Sequence, residues 1–173
     1  MTITINGTGT ITGINAGGLP DAIITQAELA TGVAGTGPAF SAYQSSVQTI
    51  SSLTLTKVQL QTEEFDTNSN FDNATNFRFT PTVAGYYQIS GAVSDASAGT
   101  NHVTTIYKNG AEFKRGSQIS YSGASPTQGV VSALIYFNGS TDYVELYVYI
   151  ATGSTLSATN YQTYFQGFLA RSA

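Results

Sequence analysis

The sequence has 173 residues, room for one compact domain and an appendage. Only 9% of them are charged, against a usual share of about a quarter, and six Lys and Arg in a chain of net charge −4 exclude a protein built to neutralise nucleic-acid phosphates. Cysteine is absent, which excludes disulfides, thiolate nucleophiles and zinc–thiolate sites, while 41% hydrophobic residues suffice for a core.

Residues 1–37 differ in texture from the rest. Met1-Thr2-Ile3-Thr4-Ile5-Asn6-Gly7 has neither the basic nor the apolar region of a signal peptide, so the expectation is synthesis in the cytoplasm. Gly recurs every few positions, and isolated apolar anchors (Ile3, Ile5, Ile11, Ile14, Leu19, Ile23, Ile24 and Leu29) have too few neighbours for a core of their own. The stretch reads as an arm that orders against another surface. Thr25-Gln26-Ala27-Glu28 has the spacing of a capping box and Gly32 supplies a stop, which predicts a short helix inside it.

From Pro38 the pattern is β. Period-two alternation predicts strands over 52–58, 86–93, 103–108, 130–137, 143–150 and 161–169. Asn109-Gly110 and Asn138-Gly139 predict two hairpins with type I′ turns, in which both central residues take positive φ. Twenty Tyr and Phe with no Trp fit sheets, and many short strands without a long helix predict an all-β sandwich or jelly roll. No apolar run is long enough for a membrane helix.

Residues 141–152 are the most informative. Val144, Leu146, Val148 and Ile150 make one aliphatic face, which belongs in the core. Tyr143, Glu145, Tyr147 and Tyr149 make the other, and three tyrosines in a row match protein interfaces better than a solvated surface. Tyr86, Tyr164 and Phe168 on neighbouring strands are expected to extend it. Closed symmetric association is the usual way to bury such a second face.

Asn70-Phe71-Asp72, Phe79-Thr80-Pro81 and Gly85-Tyr86-Tyr87 resemble the FD…F-x-x-P…G-x-Y signature of complement C1q globular heads, and Tyr164-Phe165-Gln166-Gly167-Phe168-Leu169 resembles their terminal strand. The resemblance covers residues 38–173. It implies a tumour-necrosis-factor-like jelly roll of two five-stranded sheets, a homotrimer with an aromatic axis, and core or near-axis packing for Phe79, Tyr87, Phe165 and Phe168. Tyr147 and Tyr149 are assigned to that axis from the alternation. The collagen-like Gly-X-Y stalk of complement proteins is missing. GTGTITGINAGGLPDAIITQAELA and GPAFSAYQSS resemble segments that precede such heads in tailed-phage structural proteins.

Chemistry is sparse. His102, the one histidine, has no G-x-S-x-G serine or second histidine near it and reads as a surface or interface residue. Glu63 and Glu64 point opposite ways on a strand and form no acid–base pair. GTGTITG lacks the ending of a phosphate loop. Asp66, Asn68, Asn70 and Asp72 alternate as calcium ligands do, but Phe71 and Phe77 stand where an EF-hand needs Gly and Glu. A polar loop closed by Asx-turns is the competing reading. No catalytic residue and no cofactor are expected.

The resulting expectation is a non-enzymatic trimeric knob on a virion surface. Its arm would grip other virion proteins such as the major capsid protein, in a capsid-decorating or cement role. The alternative is a tail-fibre tip that binds a host-surface glycan or protein through loops 94–101 and 121–128. Neither requires nucleic acid or membrane insertion.

Overall fold

Alternating hydrophobicity builds this protein as two layers. The computed structural model describes residues 37–96, 101–120 and 127–173. The arm anchors, the short helix and the interiors of the two loops lie outside the described residues. Thirteen strands are described: β1 (Ala39–Tyr43), β2 (Thr49–Ile50), β3 (Thr56–Lys57), β4 (Thr62–Asp66), β5 (Phe71–Asp72), β6 (Arg78–Phe79), β7 (Gly85–Ser94), β8 (His102–Lys108), β9 (Ala111–Ile119), β10 (Gln128–Phe137), β11 (Val144–Ile150), β12 (Ser154–Thr155) and β13 (Tyr164–Ser172). No helix occurs among the described residues.

The first sheet has the order β10-β7-β13-β1-β4, every pair antiparallel. The second runs β5-β6-β11-β8-β9, and β3 adds a sixth strand beside β6 on the same edge of β11. The expected pair of five-stranded sheets is thus extended by one short strand. β2 and β12 form a separate two-stranded ribbon.

Val144, Leu146, Val148 and Ile150 are fully buried, as the alternation requires. They face an aromatic cluster in which Phe40 stacks on Phe79 at 4.2 Å and on Phe71 at 5.2 Å, with Phe165 edge-on at 5.4 Å. Tyr87 packs edge-on against Phe137 and donates its hydroxyl to Val83 O at 2.8 Å; burial pushes its phenol up to about 12. Such edge and offset geometries suit the ring quadrupoles.

The two Asn-Gly pairs part company. Asn109 and Gly110 have φ of 52° and 79°, the type I′ pattern, and Lys108 pairs with Ala111 across the turn. At the second pair only Gly139 has positive φ, and β10 and β11 lie in different sheets. The expected hairpin is instead a crossover. Asn138 Oδ1 accepts the amides of Ser140, Thr141 and Asp142, and Asp142 Oδ2 accepts that of Asn138, so a side-chain-capped loop replaces the turn. The predicted strand at 52–58 shrinks to Thr56–Lys57, with Leu53 at φ 56° breaking the extended run.

Candidate association surface

The register of the first sheet arranges its outward side chains in rows. Tyr136 lies opposite Tyr86, and their rings are 5.4 Å apart. The next row runs Leu134, Gln88, Phe168, Ala39. A polar row follows: Ser132, Ser90, Gln166, Ser41, with Phe65 at its end. Val130, Ala92, Tyr164 and Tyr43 form the last. Charge stands only at the margins of these rows, where Arg171 of β13 lies opposite Tyr86 and the Glu64 carboxylate accepts the Ser41 hydroxyl. Gln88 Nε2 donates to Ser132 Oγ at 2.7 Å, so the middle of the face partly satisfies its own polar groups.

Large apolar side chains stand open here: Tyr86 is 43% exposed, Tyr136 44%, Phe65 51%, Phe168 52%, Val130 53% and Leu134 58%. A hollow of about 220 Å³ lies between Phe65 and Phe168, with Gln88, Ser90 and Gln166 among its walls. Exposed aromatics without charge are the composition of an interface core.

The six residues expected to form one interface are divided by the fold. Tyr86, Tyr164 and Phe168 belong to this face. Tyr143, Tyr147 and Tyr149 belong to the outer side of the second sheet, because β11 pairs with β8, β6 and β3 rather than with β7 or β13. Those three are only partly exposed, and two have partners within the chain. Tyr147 stacks on Tyr107 at 3.9 Å, and Arg78 lies 4.4 Å above the Tyr143 ring. Between them Lys57 Nζ meets the buried Glu145 carboxylate at 2.5 Å. Burial, followed by the nearby Glu145, raises the Tyr147 phenol above its usual range.

Val130, Leu134, Tyr136 and Phe65 escaped the sequence reading. The signal was present: residues 128–137 alternate with apolar side chains at both phases, as residues 144–150 do. Of the residues that the family resemblance points to, Phe79, Tyr87 and Phe165 are fully buried, and Phe168 is on the open face.

His102 is not at the surface. It is fully buried on the inward side of β8, with Nε2 at 3.2 Å from Thr104 Oγ1 and Nδ1 at 3.7 Å from Asp95 Oδ2. Asp95, also fully buried, accepts the Thr127 amide at 2.7 Å through its other oxygen. Glycine at 129 makes room above the ring, since a Cβ there would stand 2.9 Å from Nε2. This is a polar plug at one end of the core, with no serine nucleophile hydrogen-bonded to the imidazole among the described residues.

The alternating Asp and Asn are consumed by their own loop. Asp66 accepts the amides of Asn68 and Phe71; Asp72 accepts those of Ala74 and Thr75 and the Asn76 side-chain amide. Asn70 Oδ1 accepts from Thr82, and its amide donates to Asn68 O. Amide donors therefore occupy the carboxylates that calcium would use. The amide of Thr75, then Asn76, holds the Asp72 carboxyl down at about 2. Glu63, raised by burial and then by Asp66, lies partly buried on β4, while Glu64 accepts the Ser41 hydroxyl. No group of three or more potential metal-ligating His, Cys, Asp or Glu residues occurs among the described residues.

Two antiparallel sheets in these strand orders make the jelly roll shared by complement C1q heads and tumour-necrosis-factor-like domains. The globular domain of zebrafish complement 1qA is similar over 79% of this chain and 98% of its own, with a TM-score of 0.61 and 16% identity. Eiger TNF from S. frugiperda is similar over 78% of this chain and 93% of its own (TM-score 0.61, 11% identity), and murine APRIL over 76% and 98% (TM-score 0.60, 11% identity). No protein-family model matches the sequence, and no curated protein matches it.

Proposed function

We propose that this protein is a non-enzymatic, self-associating head that forms a homotrimer through the apolar outer face of the first sheet. The observation that carries the reading is the set of six large apolar side chains left half exposed on that one face. The face is also uneven. Val130, Leu134 and Tyr136 project from the β10 edge, and the Phe65–Phe168 hollow crosses the strands beside it, with walls from β7, β13, β1 and β4. A projecting edge beside a hollow favours a heterologous contact, which closes into a ring rather than a two-fold pair. The family resemblance supplies the number three.

In this reading the trimer is a knob on a virion surface, and residues 1–37 hold it to the particle by contact with other virion proteins such as the major capsid protein. Support for the virion comes from the resemblance of the N-terminal segment to those of tailed-phage structural proteins; the role it fits is capsid decoration or cement. A host-binding tail-fibre tip is the second reading, favoured by a cavity on the outer side of the second sheet whose walls include Leu53, Arg115 and Tyr149.

Sedimentation velocity tests the association. The expected species is three times the 18.1 kDa chain mass, and Leu134→Asp and Phe168→Asp each yield folded monomer. A monomeric wild type, or an intact trimer in both variants, overturns it. Removal of residues 1–37 is expected to leave the trimer intact and to lose it from particles. Virions of unchanged density and stability after that removal would refute the anchoring role.

A further inference from the structure

The second sheet carries a cavity of about 380 Å³ on its outer side, lined by Leu53, Leu55, Val103, Arg115, Gln118 and Tyr149. The sheet register builds it. Tyr149 of β11 pairs with Val103 of β8, which pairs with Gln118 of β9, so the three form one outward row. Arg115 stands in the next row, opposite Thr105, and the segment before β3 brings Leu53 and Leu55 to the rim. The volume falls within the usual range for small-ligand sites, about 300–1,000 Å³.

Its chemistry is mixed in a specific way. Leu53, Leu55, Val103 and the Tyr149 ring offer apolar surface. Arg115 is held by Glu112 through Nε at 2.6 Å and Nη2 at 2.9 Å, which leaves other guanidinium N–H groups to donate. Gln118 donates to Asn101 Oδ1, and its own carbonyl oxygen has no partner among the described residues. The Tyr149 hydroxyl has none either. Glu112, beside the cavity, offsets the charge of Arg115 and so reduces the pull on an anion. Free donors and acceptors on planar groups beside apolar surface match a ligand with hydroxyls on its rim and C–H groups on its faces. A sugar ring has that pattern.

Leu53 adds a separate observation. It is 70% exposed and holds φ at 56°, a left-handed conformation that costs a leucine energy and places its side chain at the mouth of the cavity. Strained residues of this kind recur at ligand clamps.

We propose that this cavity binds a neutral saccharide, with Tyr149 as the platform for a sugar face and Arg115 and Gln118 reading its hydroxyls. The site is complete within one chain and lies on the sheet opposite the association surface, so it stays open in a trimer and is independent of that reading.

The test titrates the isotope-labelled full-length chain with glucose, galactose, mannose and N-acetylglucosamine, and with glucuronate as the anionic control. At least one neutral sugar is expected to shift the Gln118 side-chain amide and the Val103 backbone amide, with saturation in the millimolar range. Gln118→Ala and Tyr149→Ala each weaken that binding by about tenfold or more. Leu134→Asp leaves it unchanged, which separates this site from self-association. If no neutral sugar shifts these resonances, if glucuronate alone does, or if both cavity variants bind as the wild type does, the proposal is overturned.

Discussion

His102 Nδ1 and Asp95 Oδ2 lie 3.7 Å apart, and neither side chain is reached by solvent. Asp95 follows the last residue of β7 and His102 opens β8, so the two meet between the sheets where the core turns polar. Neither atom has a closer protein partner among the described residues. Deleting one member leaves the other's polar atom in a dry site without its nearest polar neighbour. Asp95→Ala is expected to lose about 1–3 kcal/mol, since it orphans the buried Thr127 amide and removes the polar neighbour of His102 Nδ1. His102→Leu in that background is expected to restore part of the loss. Thermal unfolding of the two single variants and the double variant at fixed protein concentration measures the coupling; strict additivity would show that the pair does not interact.

Two glycines set how closely the layers approach. At Gly129 a Cβ would meet Thr104 Oγ1 at 2.6 Å and His102 Cδ2 at 2.7 Å, both side-chain atoms. At Gly116 it would run into the backbone carbonyl of Val130, where β9 closes against β10. Side chains can rotate and a carbonyl in a ladder cannot. Gly129→Ala is therefore expected to cost about 1–3 kcal/mol, and Gly116→Ala more than Gly129→Ala. Chemical denaturation of both variants checks the order, and the reverse order would contradict it.

Asp72 gives the fold an acid-sensitive element. Amides of its own turn, led by Thr75, hold the carboxyl at about 2 against an ordinary 3.8. A folded pKa below the unfolded one means that the unfolded chain takes up the proton first. The contribution is therefore complete above pH 3.8 and fades as pH falls from there toward about 2. Asp72→Asn should melt below the wild type at neutral pH, and the gap should narrow through that window. A gap that stays constant down to pH 2 would assign the effect to hydrogen-bond geometry alone.

The strands of this protein were legible because burial on one side imposes a period of two. Val144, Leu146, Val148 and Ile150 announce their layer by composition alone, and Asn109-Gly110 announces its turn by the φ it needs. Partnership between strands was not legible. β10 and β11 are separated by a few residues around an Asn-Gly pair, yet the chain crosses between sheets there, held by Asn138 and Asp142 side chains. That crossover places the β11 tyrosines on the face opposite Tyr86 and Phe168. It also conceals Leu134 and Tyr136, whose alternation was as clear as that of the tyrosines. His102 misled for a related reason: a lone polar residue beside a loop gives no sign of the aspartate buried with it.

The stack of Tyr107 on Tyr147 separates the two outer faces experimentally. Their rings lie 3.9 Å apart at 18°, on a sheet where Lys57 and Glu145 fill the space alongside. An aromatic pair of this kind contributes about 0.5–1.5 kcal/mol beyond its buried area. Tyr147→Leu keeps apolar area and removes the stack, so it is expected to lower stability by about that amount and leave association untouched. Phe168→Ala, on the open face, is expected to do the reverse: little change in the stability of the separated chain, and a weaker oligomer. Unfolding midpoints and sedimentation read the two quantities independently. If Tyr147→Leu dissociated the oligomer while Phe168→Ala did not, the tyrosines of β11 would be the interface and the first sheet would face solvent.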